Sequence, residues 1–394
     1  MNILHLNMLY PPHLLGGAER SVSMLAEAQV AAGHQVVVAC TTPNGFVEEE
    51  RGGVRVFRMP HGTRFWAEEW PKHSGVERFW RKLTMPFNRT QARWFADILD
   101  RVRPDLVHSH SMVDVSTGLW SVAARRGYPL VHTLRDYDLL CADGAMYHGG
   151  HGCGPKCRIV SAAKQRQHKA IRAVAANGAE TLRIHVDRGL FAHVPEDRRK
   201  VIWSVSGIDL PPAGFTRPPR TGPFTFGYLG RINAEKGVGT LIEAVRRLNG
   251  PFQVLIAGKA NEAIESFRRA AAGLPIEFIG FVDPAELFRR IDILVIPSIW
   301  AEPLPRTALE AYAKGVPVLG SRAGGTPDLI GHDNATWLFE PGNPDDLADK
   351  LAARLAAGRD QLPSPDSFRP ILEQTTPALV VARYDSFYES ALAG

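Results

Sequence analysis

Residues 225–237 read Thr-Phe-Gly-Tyr-Leu-Gly-Arg-Ile-Asn-Ala-Glu-Lys-Gly. The first six form a short apolar run that closes on glycine, as a buried strand does, and a helical pattern starts at Lys236 and runs to 248. A strand passing through a glycine turn into a helix is half of a βαβ unit. The unit recurs downstream. Strands are predicted at 252–258, 276–282, 293–298 and 316–321, separated by helices at 262–272, 284–290 and 306–314, with further helices at 345–357 and 377–393. Upstream the same alternation holds. A strand at 2–8 leads through the turn Leu15-Gly16-Gly17 into a helix at 19–32, followed by strands at 35–40, 54–59, 104–110 and 128–134 and a helix at 115–126. Such alternation predicts an α/β chain with parallel sheets.

The pattern breaks once, at 210–224, where five prolines and two glycines exclude regular structure. The organisation expected is therefore a first domain at 1–210, a linker at 211–223 and a second domain at 224–376. Open parallel sheets bind ligands beyond the carboxyl ends of their strands, so the cleft between the halves is the expected site.

Composition narrows the class. The chain has 394 residues, 45% hydrophobic and 22% charged, which excludes a disordered, collagenous or coiled-coil protein. Four cysteines are too few for a disulfide-built scaffold of this length. No apolar run approaches a membrane span, and the first residues lack a basic segment ahead of an unbroken apolar one, so a cytoplasmic protein without a signal peptide is expected. The charge is lopsided. Residues 1–210 carry 27 basic against 20 acidic side chains, the remainder 19 against 21. That asymmetry suits an anionic surface, a nucleic acid or a phosphorylated substrate, or simply an uneven solvated face.

Two constellations carry chemistry. In 229–237, Gly230 and Arg231 end a strand and Lys236 opens a helix, so two cations and a helix N-terminus converge where a diphosphate would be held. In 301–311, Glu302 and Glu310 bracket a proline-opened helix start. A carboxylate there accepts paired hydrogen bonds from vicinal hydroxyls of a ribose or a pyranose.

Taken in order, Gly-Gly-Ala-Glu at 16–19, Gly-Arg…Glu-Lys-Gly at 230–237, Glu-x7-Glu at 302–310 and Gly-Gly-Thr-Pro-Asp at 324–328 resemble the retaining glycosyltransferases of family 4, and the resemblance spans nearly the whole chain. It implies the GT-B fold, two Rossmann-like doubly wound parallel-sheet domains, with donor bound by the second and acceptor by the first. Arg231 and Lys236 would hold the donor diphosphate, Glu310 the ribose and Glu302 the transferred sugar. Gly16 and Gly17 would let backbone amides approach the diphosphate. The resemblance further implies that the C-terminal helix crosses back to the first domain. It implies a UDP- or GDP-linked sugar as donor, with neither metal nor cofactor required.

Two departures stand out. Where relatives carry a histidine after the fifth strand, this chain has Arg135, followed by Asp136-Tyr137-Asp138; Pro305 replaces a common glycine. A guanidinium cannot serve as base but can bind an anion. Chemistry is therefore assigned to Arg231, Lys236, Glu302 and Arg135, with His110, Arg135 and Asp136 on the acceptor side. His108 shares the strand face of His110, deeper in the sheet, and a buried structural role is open to both. Asp136 and Asp138 form an Asp-x-Asp pair, read as acceptor-side or structural rather than as metal ligands. The same fold without transfer, as a nucleotide-sugar-binding protein, and a sugar-nucleotide epimerase are the alternatives.

Cys141, His148, His151, Cys153 and Cys157 crowd into 17 positions. Cys141, His151, Cys153 and Cys157 are the candidate set for a structural zinc that orders the loop, against a merely flexible glycine-rich segment or a labile disulfide. Between Thr63 and Arg103, aromatic residues interleave with cations, eight basic against three acidic side chains from Lys72 onward; residues 156–172 add six cations and no acid. Such a surface suits an anionic leaflet presenting a lipid-linked saccharide. An aromatic core under a solvated basic face is the plainer reading, and nucleic acid is not expected.

Overall fold

The computed structural model describes residues 1–14, 16–148, 151–260, 264–330 and 334–393. Leu15, which opens the first turn, and the start of the helix expected at 262 lie outside the described residues. Met1–Gly207 together with Thr375–Gly394 form one compact unit, and Ile208–Gln374 form the other.

The first unit contains strands β1 (Asn2–Leu6), β2 (Gln35–Thr42), β3 (Val47–Arg51), β4 (Val54–Pro60), β5 (Leu106–Ser109), β6 (Leu130–Leu134), β7 (Ala173–Ala176) and β8 (Arg199–Val201). Its helices are α1 (Gly17–Ala31), α2 (Gly75–Thr84), α3 (Arg89–Val102), α4 (Gly118–Arg125), α5 (Pro155–Gln165) and α6 (Ala179–Asp187). The sheet order is β3-β4-β2-β1-β5-β6-β7-β8, parallel except for β3 against β4. Continuous β-branched runs such as Val36-Val37-Val38 are buried on both faces, as a helix-covered parallel sheet requires. The antiparallel edge strand β3 is Val-Glu-Glu-Glu-Arg. Its Glu48 and Glu49 pair with Arg55 and Arg58, and the charges keep the edge from pairing further.

The second unit contains β9 (Phe224–Leu229), α7 (Val238–Val245), β10 (Phe252–Ala257), α8 (Ile264–Ala270), β11 (Ile276–Gly280), α9 (Pro284–Arg290), β12 (Ile293–Ile296), α10 (Arg306–Tyr312), β13 (Val318–Ser321), α11 (Thr326–Leu329), α12 (Asn334–Trp337), β14 (Leu338–Phe339), α13 (Pro344–Ala357) and α14 (Arg369–Glu373). Its sheet is β11-β10-β9-β12-β13-β14, all parallel. Strand order reverses between β9 and β12 here, and between β1 and β5 in the first unit; at such switch points the loops after the strands diverge and leave a crevice.

The proline-rich segment has no regular element but is tied to the second unit. Arg217 donates to the carbonyls of Phe288 and Ile291, and Arg220 and Arg359 both pair with the buried Asp292 carboxylate. The last helix, α15 (Pro377–Leu392), belongs to the first unit. Val380, Tyr384, Phe387, Tyr388 and Ala391 recur at helical spacing and pack against Ile3, Leu106, Val131 and Ala173 of its sheet.

Candidate functional site

In the second unit the expected donor residues gather at the β9/β12 switch point. Two glycines make the approach possible. Gly258 has φ +146°, and a Cβ there would stand 1.7 Å from the Gly230 carbonyl oxygen. Gly237 has φ +73°, and its Cβ would stand 1.7 Å from the Pro297 carbonyl oxygen. The loop 231–236 therefore lies flush against the segment after β12. Ile299 N–H donates to the Glu235 carbonyl at 2.9 Å, locking the two loops together.

Lys236 and Glu302 meet there. Lys236 Nζ donates to Glu302 Oε1 at 2.6 Å, Ser298 Oγ donates to Glu302 Oε2 at 3.1 Å, and the ammonium lies 5.4 Å from the Trp300 ring centroid. Both charged side chains are mostly but not fully buried. The Glu302 backbone is fixed by Gly324-Gly325: Gly325 N–H donates to the Glu302 carbonyl at 2.7 Å, and a Cβ on Gly324 would come within 2.1 Å of that oxygen. Burial and the Glu302 charge push the Tyr228 hydroxyl well above its ordinary pKa, and it donates to the Arg231 carbonyl at 2.6 Å. Arg231 itself is 66% exposed, held to Glu235 at 3.2 Å. Glu310 is half-buried in α10. Neither Asn233, which takes the Lys236 amide at 3.1 Å, nor Ser298 or Trp300 was marked by the motif reading.

In the first unit His110, Arg135 and Asp136 follow β5 and β6. Arg135 Nε–H donates to His110 Nδ1 at 3.2 Å and Nη1 to Ser204 Oγ at 2.8 Å, while Nη2 is buried without a partner among the described residues. A guanidinium only donates, so the protons downstream are ordered. His110 Nε2–H must point to His5 Nδ1 (2.8 Å) and His5 Nε2–H to Gln29 Oε1 (2.7 Å). Gln29 Nε2 then donates to the Tyr388 hydroxyl (3.0 Å), Tyr388 to His108 Nδ1 (2.7 Å), and His108 Nε2–H to Thr133 Oγ1 (2.7 Å). His108 and His110 do share a face, with ring centroids 3.9 Å apart, and both are buried. Every ring nitrogen in this cluster is engaged, so the three imidazoles have no free lone pair for a metal. Burial lowers His5 to about 4 and holds His108 and His110 well below the usual histidine range, so all three are neutral.

Asp136 accepts from Ser111 Oγ at 2.6 Å and from the Asp138 amide at 2.8 Å. Asp138 is buried against Lys164. The two carboxylates thus face different partners, and Asp138 is structural. Gly16 is extended and caps α1; its N–H is taken by the buried Glu19 carboxylate at 2.9 Å, and Gly17 is the first helical residue. Burial and the Asp136 charge raise the Glu19 carboxyl, against the pull of its backbone hydrogen bonds and of Arg135, so the Gly-Gly-Ala-Glu turn is electrostatically tied to Arg135 and Asp136.

The cysteine loop differs from expectation at one ligand. The group that converges is Cys141, His148, Cys153 and Cys157, not the set with His151. His148 and His151 bridge each other through backbone bonds of 3.1 and 3.3 Å, and His151 is exposed. The basic aromatic segment is also split. Arg81 and Lys82 are buried, paired with Asp114 and Asp143, whereas Phe65, Trp66 and Phe95 are core.

Comparison with known proteins joins the two halves. Residues 15–210 match the model of Glycosyltransferase Family 4, and residues 215–362 match that of Glycosyl transferases group 1. The chain belongs to the family 4 glycosyltransferases. Among its relatives is a glycogen synthase of Mycobacterium tuberculosis, 30% identical over 84% of this chain and 80% of that one. Another is an uncharacterized 42.6 kDa protein in the cps region of Klebsiella pneumoniae, 28% identical over 84% and 87%. Among solved structures, the Anabaena protein HepE in complex with UDP superposes with a TM-score of 0.67 at 16% identity, covering 99% of this chain and all of that one. The fold of this glycosyltransferase is GT-B. Among its described residues no helix is long and apolar enough to cross a membrane.

Proposed function

We propose that this glycosyltransferase moves a hexose, with retention, from a UDP- or GDP-linked sugar to a lipid-linked saccharide in surface-polysaccharide assembly. The observation that carries the reading is the Lys236–Glu302 pair at the β9/β12 switch point. A donor diphosphate competes for the Lys236 ammonium, and the freed Glu302 carboxylate then accepts from hydroxyls of the transferred sugar. The pair is thus a proton-neutral exchange: one charged contact is given up and two are gained. Arg231, exposed and held by a single surface carboxylate, swings to the same phosphates at small cost. Their charge supports the leaving group without a metal, and a phosphate oxygen takes the acceptor proton on the same face.

On the acceptor side, Arg135 cannot act as base. Its buried, unpartnered Nη2 costs free energy unless a ligand anion meets it, which favours a phosphate-bearing acceptor. The Klebsiella relative's cps location supports the polysaccharide reading. Val76 (68% exposed), Trp80 (58%), Phe87 (55%) and Ile159 (53%) lie on and beside the packed helices α2 and α5, among cations, which supports docking on an anionic leaflet.

Thermal shift against a panel of nucleotide-sugars, followed by transfer of the labelled sugar to membrane extract, tests the reading. A true donor at about a hundred times its Kd adds about 2.7 kcal/mol of stability. Stabilisation by one donor with transfer to a lipid-extractable product is expected. Stabilisation with neither transfer nor hydrolysis would favour a binding protein of the same fold, the alternative that Arg135 motivates.

A further inference from the structure

We propose that Cys141, His148, Cys153 and Cys157 bind one zinc ion that fixes the loop between β6 and α5. The sulfur atoms of Cys141, Cys157 and Cys153 lie 3.3, 3.4 and 3.7 Å from one atom, His148 Nε2. One imidazole nitrogen carries either one proton or one lone pair, so it cannot hydrogen-bond three sulfurs at once. A central ion explains the convergence. With Zn–S about 2.3 Å and Zn–N about 2.0–2.1 Å, a tetrahedron has S···N edges of about 3.6 Å. The observed edges straddle that length, and all four ligand atoms lie within 4.8 Å of one another.

The surroundings are those of a metal-binding set. His148 Nδ1 lies 3.3 Å from Asp143 Oδ2, so a carboxylate orients the ring and leaves Nε2 as the ligand atom. Asp143 is in turn held by Lys82 Nζ at 2.9 Å, and its amide donates to Cys141 Sγ at 3.4 Å. Binding releases three thiol protons to solvent, and the product, three thiolates and a neutral imidazole on a dication, carries one negative charge beside Lys82 and Lys156. Thiolate-rich tetrahedral sites without redox chemistry select zinc, and four protein ligands make the site structural.

The ion would act on the acceptor side through the chain. Cys141 follows Asp136 by five residues, and Cys157 lies in the first turn of α5, whose Lys164 neutralises Asp138. The loop after Arg135–Asp136 is thereby pinned at both ends.

Metal analysis of tag-free protein purified without chelator tests the assignment, with circular dichroism confirming the fold of each variant. About one zinc per chain is expected in the parent and in His151→Ala, with loss in Cys153→Ser and Cys157→Ser and much faster stripping by chelator in His148→Ala. Cobalt exchanged into the parent should give the intense visible absorption of a tetrahedral thiolate site, absent from Cys157→Ser. If the cysteine variants misfold, thiol titration of the parent decides: three more cysteines should react after chelation than before. A parent that stays substoichiometric after incubation with zinc, zinc retained by a Cys153→Ser/Cys157→Ser double variant, or a disulfide among these cysteines overturns the proposal.

Discussion

The two switch points of this chain hold polar clusters of opposite character. In the first unit, Arg135 and three histidines form a buried chain in which every imidazole nitrogen is engaged and burial keeps the rings neutral. In the second, one lysine and one glutamate, mostly but not fully buried, meet in a short contact. A buried, fully ordered chain resists rearrangement because breaking any link strands a donor. A pair that keeps some solvent access can exchange its partner for a ligand that reaches it. On the proposed function, the first cluster shapes and the second handles charge.

Substitutions should separate these roles. Lys236→Ala should lower kcat about 10²–10³-fold, about 3–4 kcal/mol in the barrier, as loss of a group stabilising developing charge does. The same variant leaves the mostly buried Glu302 carboxylate with Ser298 in place of its cation and should lower unfolding stability by about 1–3 kcal/mol. Steady-state kinetics beside a denaturant titration measures both, and parent-like turnover would break the contrast.

Acidification should strike the first unit. Of the fourteen histidines all but His332 lie in it, and burial lowers His5 and His185 to about 4 and His132 to about 3. Between these values and the unfolded value near 6.5 the unfolded chain binds more protons, so stability present at neutral pH falls as pH drops from about 6.5 towards 4. Each such histidine costs about 1.4 kcal/mol per pH unit. Denaturant unfolding at pH 7 and pH 5, resolved by hydrogen exchange, should show the first unit opening earlier at pH 5 and the second unchanged.

Tyr388→Phe removes the donor to His108 and the acceptor of Gln29. A loss of about 1–3 kcal/mol is expected with donor KM unchanged. The smallest effect is expected for Glu310→Ala: about tenfold weaker donor binding by calorimetry, or about 1.4 kcal/mol, with kcat near that of the parent.

Most of the fold was legible because buried parallel strands are written as unbroken β-branched runs. Strand β3 was not, since Val-Glu-Glu-Glu-Arg reads as a solvated charge run and becomes a strand only by pairing with β4. Gly230, Arg231, Lys236 and Glu302 were each readable from motifs. Their arrangement was not: Lys236 and Glu302 are 66 residues apart, and nothing local says that they touch. The histidine chain is still less local, because His108 and Tyr388 are separated by 280 residues. His151 and His148 were indistinguishable by spacing; in the folded loop His148 Nε2 meets the three sulfurs and His151 is exposed.

The return of α15 to the first sheet has a consequence for how the polypeptide is made. Tyr388 is the link between Gln29 and His108, and Val380, Tyr384 and Phe387 cover strands formed by residues 3 to 175. During translation residues 1–207 emerge first yet cannot close their own core. They must wait, partly open, while the whole of 208–374 is synthesised, and a message truncated after 374 would leave the histidine chain without its keystone.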